Sequence, residues 1–267
     1  MRSSMLFIKS LFTSSTAQVA LFVLVSLMLL PGCSSSPSST DVNKQTAKDP
    51  SLDGMNKDIV DLVSLDTNRA NNSTSISAGS TDTHNVYLEQ ASQRLADVPA
   101  TVLSQYQKAI DQMKNQQWQA ANSLFDKVIA AEPQLSGAYV NKAIIAINQQ
   151  QLAQADALLA QAIAVNNNNP YAHQIKANIA RRQGQYAQAE QGYLTALTLW
   201  PQYPQAQLNL AILLELYRGK LLQARQYYLA YLANQSNDEQ AKRWLAGVEI
   251  KIQRAGLTLP DNANGAG

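Results

Sequence analysis

The sequence predicts an all-α fold, a solenoid of four helix pairs, and three observations carry the prediction. Trp118, Leu152 and Tyr186 recur at a spacing of 34 residues. Ala121, Ala155 and Ala189 keep the same step three residues later, and Phe125, Leu159 and Tyr193 keep it four residues beyond those. The units close at helix-ending residues: Pro133, the run Asn166-Asn167-Asn168-Asn169 before Pro170, and Pro201. A two-helix unit of this length cannot bury its apolar face alone, so successive units must stack.

Composition narrows the function classes. The 267 residues carry a net charge of only +2, 15% are charged, and both signs are interspersed. That excludes the clustered basic footprint of a nucleic-acid binder. His84, His173 and Cys33 are the whole complement of histidine and cysteine, which excludes a His/Cys zinc site and an intramolecular disulfide.

The amino terminus reads as a targeting segment. Arg2 and Lys9 are its only charges, and an apolar run from Val19 to Leu30 follows. Twelve apolar residues are too short for a comfortable bilayer span, whereas a positive start, a short apolar core and small residues mark a secretory signal. Leu30-Pro31-Gly32-Cys33 resembles a bacterial lipoprotein box, with Pro31 departing from the preferred pattern. The resemblance implies a signal peptide over 1–32 and lipidation of Cys33. With Ser34 in place of aspartate after the cysteine, it also implies sorting to the outer membrane. A plain signal peptide with an incidental cysteine is the alternative.

Residues 33–83 are rich in Ser, Thr, Asn and Asp and show no sustained apolar period. Such a segment buries too little apolar surface to offset its ordering entropy, so it is expected to be a flexible, disordered tether. Its reach is roughly 40 Å by random-coil scaling. Ile59-Val60-Asp61-Leu62-Val63-Ser64-Leu65 stands out as a short helical turn or docking segment.

Residues 84–101 hold one candidate capping helix, Asn85 to Asp97, with Val86, Leu88, Ala91 and Leu95 at helical spacing. The first repeat, 102–135, carries Tyr106, Ala109, Ile110 and Met113 on one helix. Trp118, Ala121, Leu124, Phe125, Val128 and Ile129 lie on the next, after a turn at Lys114 to Gln117. Steps of three and four place each set on one face. The second repeat, 136–169, carries Tyr139, Ala143 and Ala146, then Leu152, Ala155, Leu159, Ala162 and Ile163. Its four asparagines suit a helix exit because asparagine tolerates the left-handed backbone region.

The third repeat, 170–203, has Ala177 and Ala180, a turn at Gly184, then Tyr186, Ala189, Tyr193, Ala196 and Leu197. Short side chains there let antiparallel helices approach closely. In the fourth, 204–238, Tyr217-Arg218-Gly219-Lys220-Leu221 carries one extra residue, so Ala224 lies 35 after Ala189. Insertions in solenoids fall in turns on one face, often a contact face. Residues 239–255 read as a terminal capping helix and 256–267 as a disordered tail.

The 34-residue period, the aromatic or leucine opening each second helix, the alanine three on and the closing proline together resemble the tetratricopeptide repeat. The likeness covers roughly 150 of the 267 residues. It implies antiparallel helix pairs in a right-handed superhelix whose concave face, lined by first helices, binds peptides or proteins. By that geometry the face includes Leu103, Tyr106, Ile110, Met113, Val140, Ile144 and Ile147, then Gln174, Asn178, Arg181, Leu208 and Ile212. A mostly apolar groove suits an amphipathic or extended apolar segment, unless these residues are packed core.

One register position departs from the family. Lys108, Lys142 and Lys176 stand where leucine is common, and only Leu210 conforms. Either each lysine buries its stem and extends its ammonium to water, or the three form a cationic ladder for an acidic segment.

The sequence contains no glycine-rich phosphate loop, nucleophile elbow or paired-histidine motif. Asp111, Asp126, Glu190 and Glu215 read as solvated-face carboxylates, and His173 as structural. No cofactor is expected. The expectation is a non-enzymatic adaptor or scaffold, lipid-anchored on the periplasmic side of the outer membrane, whose partner is an envelope protein or peptide segment. Pilotin-type lipoproteins, adaptors of peptidoglycan enzymes and accessories of TonB-type systems are the kinds it resembles. A cell-wall-acting enzyme with a convergent site is the rival class.

Overall fold

The structure is a computed structural model that describes residues 84–259. The signal peptide, Cys33, the tether with its Ile59–Leu65 segment and the end of the tail lie outside the described residues. Eleven helices and no strand occur among those described. They are α1 (Val86–Glu89), α2 (Ala91–Leu95), α3 (Ala100–Lys114), α4 (Trp118–Ala131), α5 (Ser136–Asn148), α6 (Leu152–Val165), α7 (Pro170–Arg182), α8 (Tyr186–Leu199), α9 (Pro204–Leu216), α10 (Leu221–Asn234) and α11 (Glu239–Arg254). From α3 to α11 each helix packs against the next, and α7 also touches α9. The all-α repeat fold expected from the period is the fold observed.

Packing rather than capping holds the second helices. Gln117, Gln151, Gln185 and Lys220 precede them, and none makes a side-chain cap. Isolated helices of this length are marginal in water, so their stability comes from the buried face. Ala121, Ala155, Ala189 and Ala224 are fully buried, as are Phe125, Leu159, Tyr193 and Tyr228 one turn later. Gly192 on α8 extends the small-residue rule. A Cβ placed there would lie 2.9 Å from the Ala177 Cβ on α7, so the hairpin closes where neither helix carries bulk.

The turns between paired helices share one backbone device. Gln116, Gln150, Gly184 and Gly219 all have positive φ, between 59° and 76°. The first three fall at the repeat spacing, and Gly219 is one residue late because its turn holds the inserted residue. Glycine adopts this conformation freely, whereas glutamine does so at a steric cost.

Two expectations need correction. No residue of the Asn166–Asn169 run takes a left-handed conformation; the Asn166 side chain accepts a hydrogen bond from the Asn168 N–H at 3.0 Å. Asn169 instead caps α7, accepting from the N–H groups of Tyr171 (3.1 Å) and Ala172 (3.3 Å), with Pro170 at the first helical position. The single capping helix expected over Asn85 to Asp97 is broken at Gln90 into α1 and α2. Its buried apolar side chain is Tyr87, not Val86 or Ala91, and α2 buries none.

Candidate interaction face on the first helices

The 34-residue step carries four rows of side chains along α3, α5, α7 and α9. One row is Leu103, Gly137, Tyr171 and Gln205; the next is Tyr106, Val140, Gln174 and Leu208. Then come Ile110, Ile144, Asn178 and Ile212, and last Met113, Ile147, Arg181 and Glu215. The face is thus apolar along the first two repeats and polar through the third, with charge at the third and fourth.

Most of the apolar half is packed rather than open. Tyr106, Ile110, Met113, Val140, Ile144, Ile147 and Ile212 are buried, while Leu103 and Leu208 stay half-buried. Tyr106 meets the Phe125 ring edge-on at 5.6 Å, and its hydroxyl accepts a hydrogen bond from the Asn141 amide at 2.9 Å. Burial of long apolar side chains from both helices of a hairpin explains why helical spacing alone does not separate core from groove.

The polar half is also buried, and its groups are joined by hydrogen bonds. The Tyr193 hydroxyl of α8 donates to Asn178 Oδ1 at 2.6 Å and accepts from Arg181 Nε at 3.4 Å. Tyr203 donates to Gln174 Oε1 at 3.4 Å. In the fourth repeat Tyr228 donates to Glu215 Oε2 at 2.7 Å, and Lys251 of α11 reaches the other carboxylate oxygen at 2.8 Å. Burial and the neighbouring carboxylate push the Tyr228 hydroxyl pKa far up, so it remains a proton donor. Glu215 is therefore not the solvated-face carboxylate the sequence suggested: its side chain is 8% exposed. The repeat position shared by Tyr193 and Tyr228, where Phe125 and Leu159 carry no hydroxyl, is the signal that could have found this network.

A segment from outside the repeats lies against this face. Tyr87 of α1 meets Tyr171 of α7 edge-on, with ring centroids 5.8 Å apart and planes at 89°. Tyr171 in turn packs edge-on against Trp200 at 6.0 Å and Tyr203 at 5.6 Å, while Trp200 and Tyr203 stack at 4.5 Å. Arg94 of α2 places its guanidinium 4.0 Å from the centre of the Tyr87 ring. Edge-to-face and cation–π contacts of this kind each add to the apolar burial. Sequence reasoning missed all four aromatic residues, because none recurs as an aromatic residue at the 34-residue step.

The register-matched lysines do not behave alike. Lys142 of α5 pairs with Asp126 of α4, and Lys176 of α7 with Asp156 of α6, each bridging one repeat to the one before. Lys108 is exposed and forms no ion pair among the described residues. The inserted turn makes a comparable bridge. Arg218 Nε reaches Glu190 Oε2 at 2.8 Å and Lys220 binds the other oxygen, while Tyr217 stacks on Tyr186 at 4.6 Å. Burial alone would raise the Glu190 pKa, but Lys220 and Arg218 outweigh it and hold the carboxyl below its ordinary value.

No group of His, Cys, Asp and Glu able to hold a metal occurs among the described residues. No helix described is long and apolar enough to cross a membrane.

Stacked two-helix units with a repeating small-residue seam define a helical-hairpin repeat protein. Tetratricopeptide repeat models match residues 112–179 and 175–239, and the chain carries tetratricopeptide repeats. Solved structures with a similar fold include MamA, at 14% identity and TM-score 0.48, covering 56% of this chain and 85% of that one. The first TPR of Spaghetti (RPAP3) bound to the HSP90 peptide SRMEEVD matches at 19% identity and TM-score 0.41, covering 43% and 90%. The Sgt2 TPR domain from Aspergillus fumigatus matches at 22% identity and TM-score 0.42, covering 49% and 91%. These likenesses concern the helical fold and say nothing of a ligand. No curated protein matches the sequence closely enough to count as a relative.

Proposed function

We propose that this chain is a lipid-anchored adaptor of the bacterial cell envelope, held by Cys33 at the periplasmic face of the outer membrane, which captures or positions envelope proteins on its first-helix face. The observation that carries the reading is the contact of Tyr87 with Tyr171: a segment from outside the repeats is seated against a first helix of the third repeat. A face that receives one such segment by aromatic packing offers the contacts by which peptide segments are recognised. The lipoprotein-like Leu30-Pro31-Gly32-Cys33 box and the 33–83 stretch that follows it support a tethered rather than a free module. That length favours an adaptor reaching towards the cell wall over a pilotin for a secretion channel or a TonB-type accessory.

Two experiments divide the claim. Cys33→Ala is expected to move the protein from the membrane fraction to the soluble fraction; unchanged fractionation contradicts the anchor. Crosslinking in intact cells from the first-helix face is expected to capture a defined envelope protein. Turnover of peptidoglycan by the purified chain, lost when carboxylates of that face are removed, would replace the adaptor with the enzymatic rival.

A further inference from the structure

The aromatic cluster of the third repeat offers a more specific reading, which rests on the adaptor proposal and deepens it. Tyr171 stands at the start of α7, Trp200 at the end of α8, and Tyr203 just before α9. One helix hairpin and the connection that follows it thus supply the three rings, and the fourth ring comes from Tyr87, which is 5% exposed.

The segment that carries Tyr87 is short. α1 is a single turn capped by the Asn85 side chain on the Leu88 N–H at 3.1 Å, and the His84 to Glu89 contact is solvent-exposed on both sides. Leu88 and Val98 are only partly buried against the core, and α2 buries no side chain. A segment this short, with Tyr87 as its one buried apolar side chain and Arg94 packed over that ring from within the same segment, is drawn from the low-stability end of a structure and opens more readily than the repeats behind it.

We infer that Tyr171, backed by Trp200 and Tyr203, forms a recognition subsite for a tyrosine-bearing segment of a partner protein, and that Tyr87 is a built-in competitor that the partner's tyrosine displaces. Tyr87 shows the chemistry the site accepts: a ring presented edge-on to Tyr171, carried on an extended or single-turn backbone. Because Tyr87 belongs to the same chain, it competes at the effective concentration of a tethered ligand, which sets a threshold that a weak or incidental peptide does not pass. A partner with a second point of contact on the same face, beside Leu208 for instance, does pass it.

The test uses the full chain in detergent and a labelled synthetic peptide spanning residues 84–98, with a second peptide in which the tyrosine corresponding to Tyr87 is replaced by alanine. Titration extends to about 1 mM, the scale of a short tether's effective concentration. The tyrosine peptide is expected to bind the Tyr87→Ala chain at least about tenfold more tightly than wild type, and the alanine peptide to bind neither. Binding should alter tryptophan emission, and Trp200→Phe should remove that change while leaving most of the binding. Arg94→Ala, which removes the cation over the ring and keeps Tyr87, should give intermediate binding and serves if Tyr87→Ala does not fold. Equal binding of the tyrosine peptide to wild type and both variants, or no binding to any, overturns the inference. A concentration-dependent dimer formed by exchange of residues 84–98 also overturns it, since the occupant is then a second copy. None of these results bears on whether crosslinking in cells captures a partner elsewhere on the face, so the adaptor reading stands or falls separately.

Discussion

Lys142 on α5 forms an ion pair with Asp126 on α4, so a side chain on the first helix of one repeat is tied to the second helix of the repeat before it. Lys176 and Asp156 reproduce the arrangement one repeat further along. In both pairs the aspartate remains well exposed, and such pairs contribute up to about 1 kcal/mol. Lys142→Asp is expected to destabilise the fold by that order, read as a lowered thermal midpoint, and adding Asp126→Lys to recover most of it. If the second change gives no recovery in a double-mutant cycle, the pair does not bridge the repeats in solution.

The shared turn conformation yields a stabilising prediction. Gln116 and Gln150 occupy the left-handed position that Gly184 and Gly219 fill in the later repeats. A left-handed non-glycine residue costs about 1–2 kcal/mol, partly offset by the extra chain entropy glycine loses on folding. Gln116→Gly and Gln150→Gly should each stabilise the fold by about 0.5–1 kcal/mol in chemical denaturation. Gly184→Ala should destabilise it by a similar or larger amount. An unchanged midpoint in all three variants contradicts the account of the turn.

How much of this was legible follows from what periodicity can carry. Ala121, Ala155 and Ala189 revealed the hairpin seam because each sits at the same buried point of its unit. Ala224 revealed the insertion because it lies 35 rather than 34 residues after Ala189. The partition of the first-helix face was not legible, since Ile144 in a packed core and Ile144 in an open groove look the same at helical spacing. The pairing of Lys142 with Asp126 crosses a repeat boundary, and nothing in either helix alone announces it. Tyr87, Tyr171, Trp200 and Tyr203 meet only in three dimensions, from α1, α7 and the α8–α9 connection.

Close approach at Gly192 gives a third prediction. Gly192→Ala places a Cβ 2.9 Å from that of Ala177, closer than real Cβ atoms approach one another. The two helices must part, at a cost of about 1–3 kcal/mol typical of overpacking. Because α7 also carries Asn178 and Arg181, the Tyr193 network should loosen with it. A variant as stable as wild type in urea unfolding contradicts this packing.

Glu190 sets a pH dependence whose sign follows from its lowered pKa. A carboxylate held below its unfolded value stabilises the folded state fully above that value, 4.5, and the contribution disappears as pH falls through the folded value. The difference in thermal midpoint between wild type and Glu190→Gln should therefore be constant near neutrality and shrink in acid below about pH 4.5. A difference that persists unchanged to about pH 3 would show that Arg218 and Lys220 do not hold the charge.

Partner binding on the first-helix face is open to a direct test. Photo-crosslinking in intact cells tests it most directly, with the reactive residue placed at Leu208 or Leu103 on that face and, as a control, at the exposed Gln188 on α8. One defined envelope protein should be captured from Leu208 or Leu103 and not from Gln188. Equal capture from all three positions, or none from the first-helix face, would contradict it.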